Sequence, residues 1–123
     1  MWLITNFGFF SIHVPIHPER QPWVREVRAR KREHIEELRK RYCPGLGPTI
    51  ETPHSDYPFR AQADAAMVAD AMAKLTKDIE YSNFKDSVED DDMHGMCMNI
   101  WCEAREALDN RFRISKRRRG NAK

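Results

Sequence analysis

Residues 1–14 read M-W-L-I-T-N-F-G-F-F-S-I-H-V, the most apolar and most β-prone run of the chain. This run predicts strands at 2–5 and 8–14, because aromatic and β-branched side chains favour strands. Asn6 and Gly8 predict a turn between the strands or a bulge in one longer strand. Successive strand residues alternate between the two faces of a sheet. One face would carry Phe10, Ile12 and Val14, and the other Phe9, Ser11 and His13. The second set is partly polar, so we expect one side of the sheet to face water.

The remaining chain alternates further strands with amphipathic helices. We predict strands at 23–30, 49–52 and 57–63, and helices at 31–42, 64–80 and 93–112, the second with Asp64 as its N-cap. Apolar residues at helical spacing mark the sides expected to be buried, namely Ile35, Leu38 and Tyr42, then Val68, Met72, Leu75 and Ile79, then Met96, Ile100, Trp101, Ala104 and Leu108. The order ββαββα plus a last helix predicts an α+β fold, a small antiparallel sheet with helices mainly on one face.

Length and composition predict one domain and a tail. The chain has 123 residues, of which 41% are hydrophobic and 33% charged. We expect 1–112 to form a single α+β domain and 113–123 a basic, flexible tail. No apolar run approaches the ~18 residues of a membrane helix, and the first residues lack the features of a signal peptide. The odd number of cysteines, three, is typical of a reducing compartment, so we expect a cytoplasmic protein with no membrane contact.

Charge divides the chain sharply. Residues 111–123 hold seven of the 21 bases and no acid, which leaves 14 bases against all 19 acids in 1–110, a net charge of −5. Clustered lysine and arginine bind RNA or DNA by neutralising phosphates. The candidate nucleic-acid residues are therefore Arg113, Lys116, Arg117, Arg118 and Arg119. The alternative is a solubilising tail, or one that docks on the acidic body of the same protein.

Three groups of residues invite a chemical role, and each has a simpler interpretation. His54, Ser55 and Asp56 contain the groups of a hydrolase, but neighbouring loop residues seldom converge as a triad does, so we favour a turn. His94 and Cys97 share a helix face while Cys102 lies about 140° from Cys97, which disfavours a zinc site. The acids at 89–92 are consecutive, unlike calcium ligands, and predict a solvated loop or an acidic patch for a basic partner. We therefore predict no catalytic residue, no metal and no cofactor.

Three segments resemble a family. The start M-W-L-x-T-x-x-G-F-F-S at 1–11, D-Y-P-F-R-A at 56–61 and D-I-E-Y-S-N-F-K at 78–85 together are similar to a group of small uncharacterised bacterial proteins. The resemblance covers roughly residues 1–88. Where the last helix of that group tends to read Y-H-x-V-W, this chain has C-M-N-I-W at 97–101, and the basic tail is not a feature of the group. The resemblance implies a small cytoplasmic α+β domain and brings no activity, catalytic residue or cofactor.

These observations favour a non-enzymatic cytoplasmic protein that binds another protein, as an accessory factor, adaptor or inhibitor of the kind that phages or mobile elements encode. The first alternative is a protein that binds RNA or DNA through its basic tail. The second is a small hydrolase built around His54 and Asp56.

Overall fold

The structure, a computed structural model, describes residues 1–17, 19 and 21–109. The chain divides into two units, Met1–Ser82 and a second that begins at Asn83. The first contains the strands β1 (Trp2–Ile4), β2 (Phe9–His13), β3 (Val24–Ala29), β4 (Ile50–Glu51) and β5 (Phe59–Asp64), with helix α1 (Arg32–Arg41) after β3 and helix α2 (Ala65–Lys77) after β5. The second contains α3 (Phe84–Ser87) and α4 (Asp91–Leu108). The predicted domain end at 112 and the tail at 113–123 lie outside the described residues.

The five strands form one antiparallel sheet in the order β1-β2-β3-β5-β4, which confirms the predicted fold class. The observed order has one strand more than ββαββα, because a turn splits the opening segment. The Thr5 N–H donates to the Gly8 carbonyl (2.9 Å), and the Thr5 hydroxyl accepts from the Gly8 N–H (3.0 Å). A β-carbon at Gly8 would lie 2.7 Å from the ring of Phe10, so any larger residue there would displace this fully buried side chain.

The core lies on the side of the sheet that both helices cover. Each helix packs on β3 and β5, the central strands, whose small residues Ala29, Ala61 and Ala63 allow close approach. The predicted faces are largely confirmed, with Phe10, Ile12, Ile35, Leu38 and Val68 buried. For two residues the prediction of burial is wrong. Val14 is exposed because β2 ends at His13, and Ile79 is exposed because α2 ends at Lys77.

Asp64 occupies the N-cap position of α2, but its side chain makes no capping hydrogen bond. Instead, the Ala65 N–H donates to the Trp23 carbonyl at 2.7 Å. This bond continues the pairing of β3 with β5 into the first helical residue. The strand pairing therefore supplies an acceptor for one of the amides at the helix start that helical hydrogen bonds leave without a partner.

The second unit corrects two predictions. The acids at 89–92 are mostly the start of α4 and not a solvated loop: the Asp90 side chain accepts from the Met93 N–H (2.9 Å), and Asp91 and Asp92 occupy the first turn, where the helix dipole favours negative charge. The buried positions of α4 are Met93 and Cys97, whereas the predicted Ile100, Trp101 and Leu108 are exposed.

Two cationic side chains pack against the exposed ring of Trp101. Lys85 Nζ lies 4.2 Å from its centroid and the Arg105 guanidinium carbon 5.6 Å, both within cation–π range. Because these cations pack against the ring, the free-energy cost of leaving Trp101 at the surface is smaller than its hydrophobicity alone predicts.

Among the helices that the structure describes, none combines the length and hydropathy that a membrane crossing requires.

Candidate binding face of the sheet

The face of the sheet opposite α1 and α2 carries a row of side chains that crosses all five strands. The strand register aligns one residue from each strand, in the order Trp2, Ser11, Arg28, Arg60 and Ile50. Trp2 and Ile50 are exposed, and the three residues between them are half-buried. We call this surface, together with the adjacent Phe9, Tyr57 and Glu26, the open face. Its partial exposure confirms the expectation that one side of the sheet faces water.

Aromatic rings flank one side of this row. The Trp2 and Phe9 centroids lie 5.7 Å apart with the rings nearly perpendicular, and the Phe9 and Tyr57 centroids lie 6.2 Å apart. Edge-to-face packing of this kind stabilises an aromatic pair beyond its buried area. Trp2 nevertheless keeps 71% of its surface exposed. The ring is therefore fixed in orientation and remains available for contact.

Arg28 and Arg60 lie directly opposite each other in the middle of the row. Hydrogen-bonded and non-hydrogen-bonded pairs alternate along antiparallel strands. The bond from Ala65 N–H to the Trp23 carbonyl sets the phase, which makes Arg28 and Arg60 a non-hydrogen-bonded pair. Side chains come closest in such pairs, at a typical Cα separation of about 4.5 Å. Like charges in this position destabilise a sheet, so the pair needs compensation.

Glu26 provides part of that compensation. Arg28 Nη2 donates to Glu26 Oε2 at 3.0 Å, and the two side chains are 18% and 9% exposed. Arg28 Nε is buried and has no hydrogen-bond partner among the described residues. Arg60 Nε donates to the Tyr57 carbonyl in a long bond of 3.4 Å. The open face thus contains two guanidinium groups and one carboxylate, which pairs with Arg28, and the Nε of Arg28 is buried without a partner among the described residues.

A cleft of about 400 Å³ adjoins Glu26. The β2–β3 loop forms one wall with Pro15, Ile16, His17 and Gln21, and Glu26 and Gln62 form the other. This loop explains how a carboxylate on an otherwise open face is almost fully buried. The ion pair with Arg28 is consequently shielded from water more than a surface pair.

A second cleft, of about 160 Å³, lies between β1, the end of α1 and the end of α2. Tyr42 donates its hydroxyl hydrogen to Asp78 Oδ2 at 3.0 Å, and burial together with this bond raises the pKa of Tyr42. The other walls are mixed, with apolar side chains such as Leu3, Met72 and Leu75 beside polar ones such as Asn6 and Thr76. Small-molecule sites usually measure about 300–1,000 Å³, so this cleft has room for one side chain of a partner.

The structure does not assemble the hydrolase alternative. The turn predicted at 54–56 is present within a turn and bend over 53–57, and His54 adopts a left-handed backbone conformation with φ of 66°. Ser55 Oγ is buried without a hydrogen-bond partner among the described residues, so His54 is not placed as its base. The Asp56 backbone carbonyl, not its carboxylate, holds this loop by accepting from Arg30 at 2.6 Å.

The predicted nucleic-acid residues, Arg113 and 116–119, lie outside the described residues. Of the residues considered for zinc, Cys97 is buried, which raises its pKa, and Cys102 is exposed, so the two thiols do not share a face. Within the described chain, no three His, Cys, Asp or Glu side chains are grouped so that they could hold a metal ion.

Sequence reasoning missed the Arg28–Arg60 pair. The signal available was the alternation of polar side chains at 26, 28 and 30 and at 60 and 62, which placed arginines on the outer face of two strands. That pattern does not show which arginine lies opposite which, because the register of β3 with β5 joins residues 30 to 40 positions apart in the sequence. In comparisons with known proteins, no family model, curated protein or solved structure matches this chain.

Proposed function

We propose that this chain is a non-enzymatic protein that binds another protein through the open face. The observation that carries the proposal is the row that joins an exposed, oriented tryptophan to two arginines. Tryptophan, tyrosine and arginine are the residues that most often contribute the largest share of binding energy at protein interfaces. The open face presents all three within one continuous surface.

Preorganisation supports this assignment. Trp2 packs edge-on against Phe9, and Glu26 holds Arg28, so both side chains lose little conformational freedom when a partner arrives. The three cysteines are free, which supports the proposal of a reducing, cytoplasmic location. We therefore propose an adaptor or inhibitor role, of the kind that phages or mobile elements encode, because such a role requires a binding surface and no catalytic site.

The test compares two exposed tryptophans. Trp2 and Trp23 are 71% and 57% exposed, and only Trp2 belongs to the row across the open face. Proteins that the wild type captures from a lysate of the source organism are identified, and the affinity of each is measured with purified components. Trp2→Ala should weaken binding about 30-fold or more, the loss typical of a tryptophan that contributes strongly to an interface, while Trp23→Ala should stay within about threefold. Thermal melts confirm that both variants fold. Equal affinities for the two variants would refute the proposal.

The second candidate function is binding of single-stranded nucleic acid. Aromatic rings beside arginines on an antiparallel sheet are a surface on which bases can stack, and the bases at 113–119 add charge for phosphates. Binding of a labelled octauridylate should then weaken steeply with salt. Deletion of 116–123 should abolish it and leave the melting temperature nearly unchanged. Full affinity after the deletion would move the nucleic-acid site away from the tail.

A further inference from the structure

We infer that the outer edge of β1 pairs with an extended segment of the protein partner, and that this segment places a lysine or arginine side chain in the cleft beside Asp78. The inference rests on the proposed function and adds to it the conformation and the charge of the partner. Strand addition to a free sheet edge is a common mode of peptide recognition, in which main-chain hydrogen bonds supply affinity and pockets for alternate side chains supply specificity.

The outer edge of β1 offers unpaired backbone groups. Met1 and Ile12 exchange two hydrogen bonds of 2.8 Å, which sets the phase of the ladder between β1 and β2. Because hydrogen-bonded and non-hydrogen-bonded pairs alternate along antiparallel strands, Trp2 and Ile4 direct their N–H and C=O groups away from β2. Among the described residues, none bonds to these outward groups. The strand also carries neither a charged residue nor a proline, the features that commonly protect an exposed edge.

The cleft of about 160 Å³ reaches this edge. Leu3 and Ile4 are consecutive in β1, so their side chains project to opposite faces of the sheet. Leu3 packs against the core on the helix side, whereas Ile4 lies opposite Phe9 of the open face. Since both residues line the cleft, it extends to the backbone of β1. In a segment paired antiparallel with β1, the residue opposite Leu3 would send its side chain to the same face as Leu3 and therefore into the cleft.

The lining of the cleft fits a basic side chain. Of the described residues that line it, only Asp78 carries a charge, and its Oδ2 accepts from the Tyr42 hydroxyl at 3.0 Å. The structure gives Oδ1 of Asp78 no hydrogen-bond partner among the described residues. The apolar part of the lining includes Leu3, Met72 and Leu75. Lysine and arginine suit such a mixed lining, because their methylene stems pack on apolar surface while the charged end reaches a polar group.

Charge complementarity also favours a basic segment. No base among the described residues forms an ion pair with Asp78. Arg41, at the end of α1, pairs instead with Glu37 at 2.7 Å, and the exposed Lys74 and Lys77 of α2 do not line the cleft. Residues 1–110 carry a net charge of −5, which attracts a cationic segment at long range. A partner's cation would therefore supply the charge that the cleft lacks.

Backbone amide signals in a ¹H–¹⁵N NMR spectrum of the full chain test the strand pairing. The probe is acetyl-Thr-Val-Lys-Val-Thr-amide, titrated at constant ionic strength, in which the lysine can lie opposite Leu3 and the valines opposite Trp2 and Ile4. The amide protons of Trp2 and Ile4 should move saturably as they gain acceptors. The amide of Leu3 is the internal control, because it is directed toward β2, and its proton should move less.

A charge exchange between peptide and protein tests the cleft. The wild type should bind the lysine peptide about tenfold more tightly than its glutamate analogue. Asp78→Asn, which keeps an oxygen for the Tyr42 hydroxyl, should reduce this preference to within about threefold. Asp70→Asn is the matched control, because Asp70 is also exposed and does not line the cleft, and this variant should keep the preference.

The inference falls if the Trp2 and Ile4 signals do not move at about 20 mM lysine peptide, or if Asp78→Asn leaves the lysine preference intact. It also falls if sedimentation equilibrium shows a dimer of the chain that the peptide dissociates, since the edge would then belong to a second copy. Any of these results combined with Trp2-dependent capture would overturn the strand and cleft site alone. If Trp2→Ala binds the partner as well as the wild type, the proposed function itself falls.

Discussion

Glu26→Gln removes the negative charge beside Arg28 while keeping the size of the side chain, and its cost can be bounded from the exposure of the pair. Breaking a fully buried ion pair costs about 3–5 kcal/mol, and an exposed pair contributes about 0–1 kcal/mol. Glu26 and Arg28 are 9% and 18% exposed, which places this pair between those limits. The glutamine oxygen still accepts from Arg28, so the main loss is the charge that offsets the opposed Arg60. We expect a loss of about 2 kcal/mol in the free energy of unfolding.

Urea denaturation of the full chain measures this loss, with Glu51→Gln as the matched control. Glu51 pairs with Arg32 at 3.4 Å, but these side chains are 55% and 44% exposed, so the control should lose less than about 0.5 kcal/mol. The effect at Glu26 should persist in added salt, because shielded pairs are screened weakly. A loss below about 0.5 kcal/mol at Glu26 would refute the argument. So would additive losses in the double variant with Arg28→Gln, since an interacting pair must show coupling.

Three further predictions concern the core, α4 and pH. Ile35→Ala should cost about 2–5 kcal/mol by urea denaturation because Ile35 is fully buried, whereas Ile79→Ala, at a half-exposed site, should cost less than about 0.5 kcal/mol. Gly95→Ala should stabilise the protein by about 0.5–1 kcal/mol in the same assay, since an added β-carbon meets no atom within 4 Å. Hydrogen bonds from the Thr49 hydroxyl and then from Arg39 lower the pKa of Glu36. The folded value therefore lies below the unfolded one, and the stabilisation is present above the unfolded pKa and lost as pH falls through the folded pKa. Glu36→Gln should consequently lower the urea midpoint at neutral pH and converge with the wild type in acid.

Local patterns in the sequence predicted most of the first unit. Alternation of apolar and polar residues placed Phe10 and Ile12 on the buried side of β2, and helical spacing identified Ile35, Leu38 and Val68. These predictions succeeded because each depends on residues that are neighbours along the chain. Errors arose where an element ended early and left its last apolar residue, Val14 or Ile79, in solvent.

The errors in α4 have a different physical origin. The acids at 89–92 were interpreted by their charge alone, although Asp90 followed by Asp91 and Asp92 is also the pattern of a capped helix start. The buried positions Met93 and Cys97 are four residues apart, as are the predicted Ile100 and Ala104, so spacing alone does not select the buried face. The contact of Trp101 with Lys85 joins two different helices, so the spacing of residues within α4 could not predict it.

The open face departs from the rules that the rest of the sheet follows. On the helix side, small and apolar residues pack as a stable α+β fold requires. On the open side, two cations oppose each other on central strands, a carboxylate is buried to hold one of them, and a buried guanidinium N–H is left without a described partner. Compared with apolar or neutral side chains that pack at the same positions, each of these features costs stability, although removal of Glu26 alone would cost more. Proteins place such locally unfavourable features mainly where function requires them, because an apolar or neutral pair at 28 and 60 would serve the fold better. The presence of all three on the open face, next to an exposed tryptophan, supports the proposal that this face binds a partner.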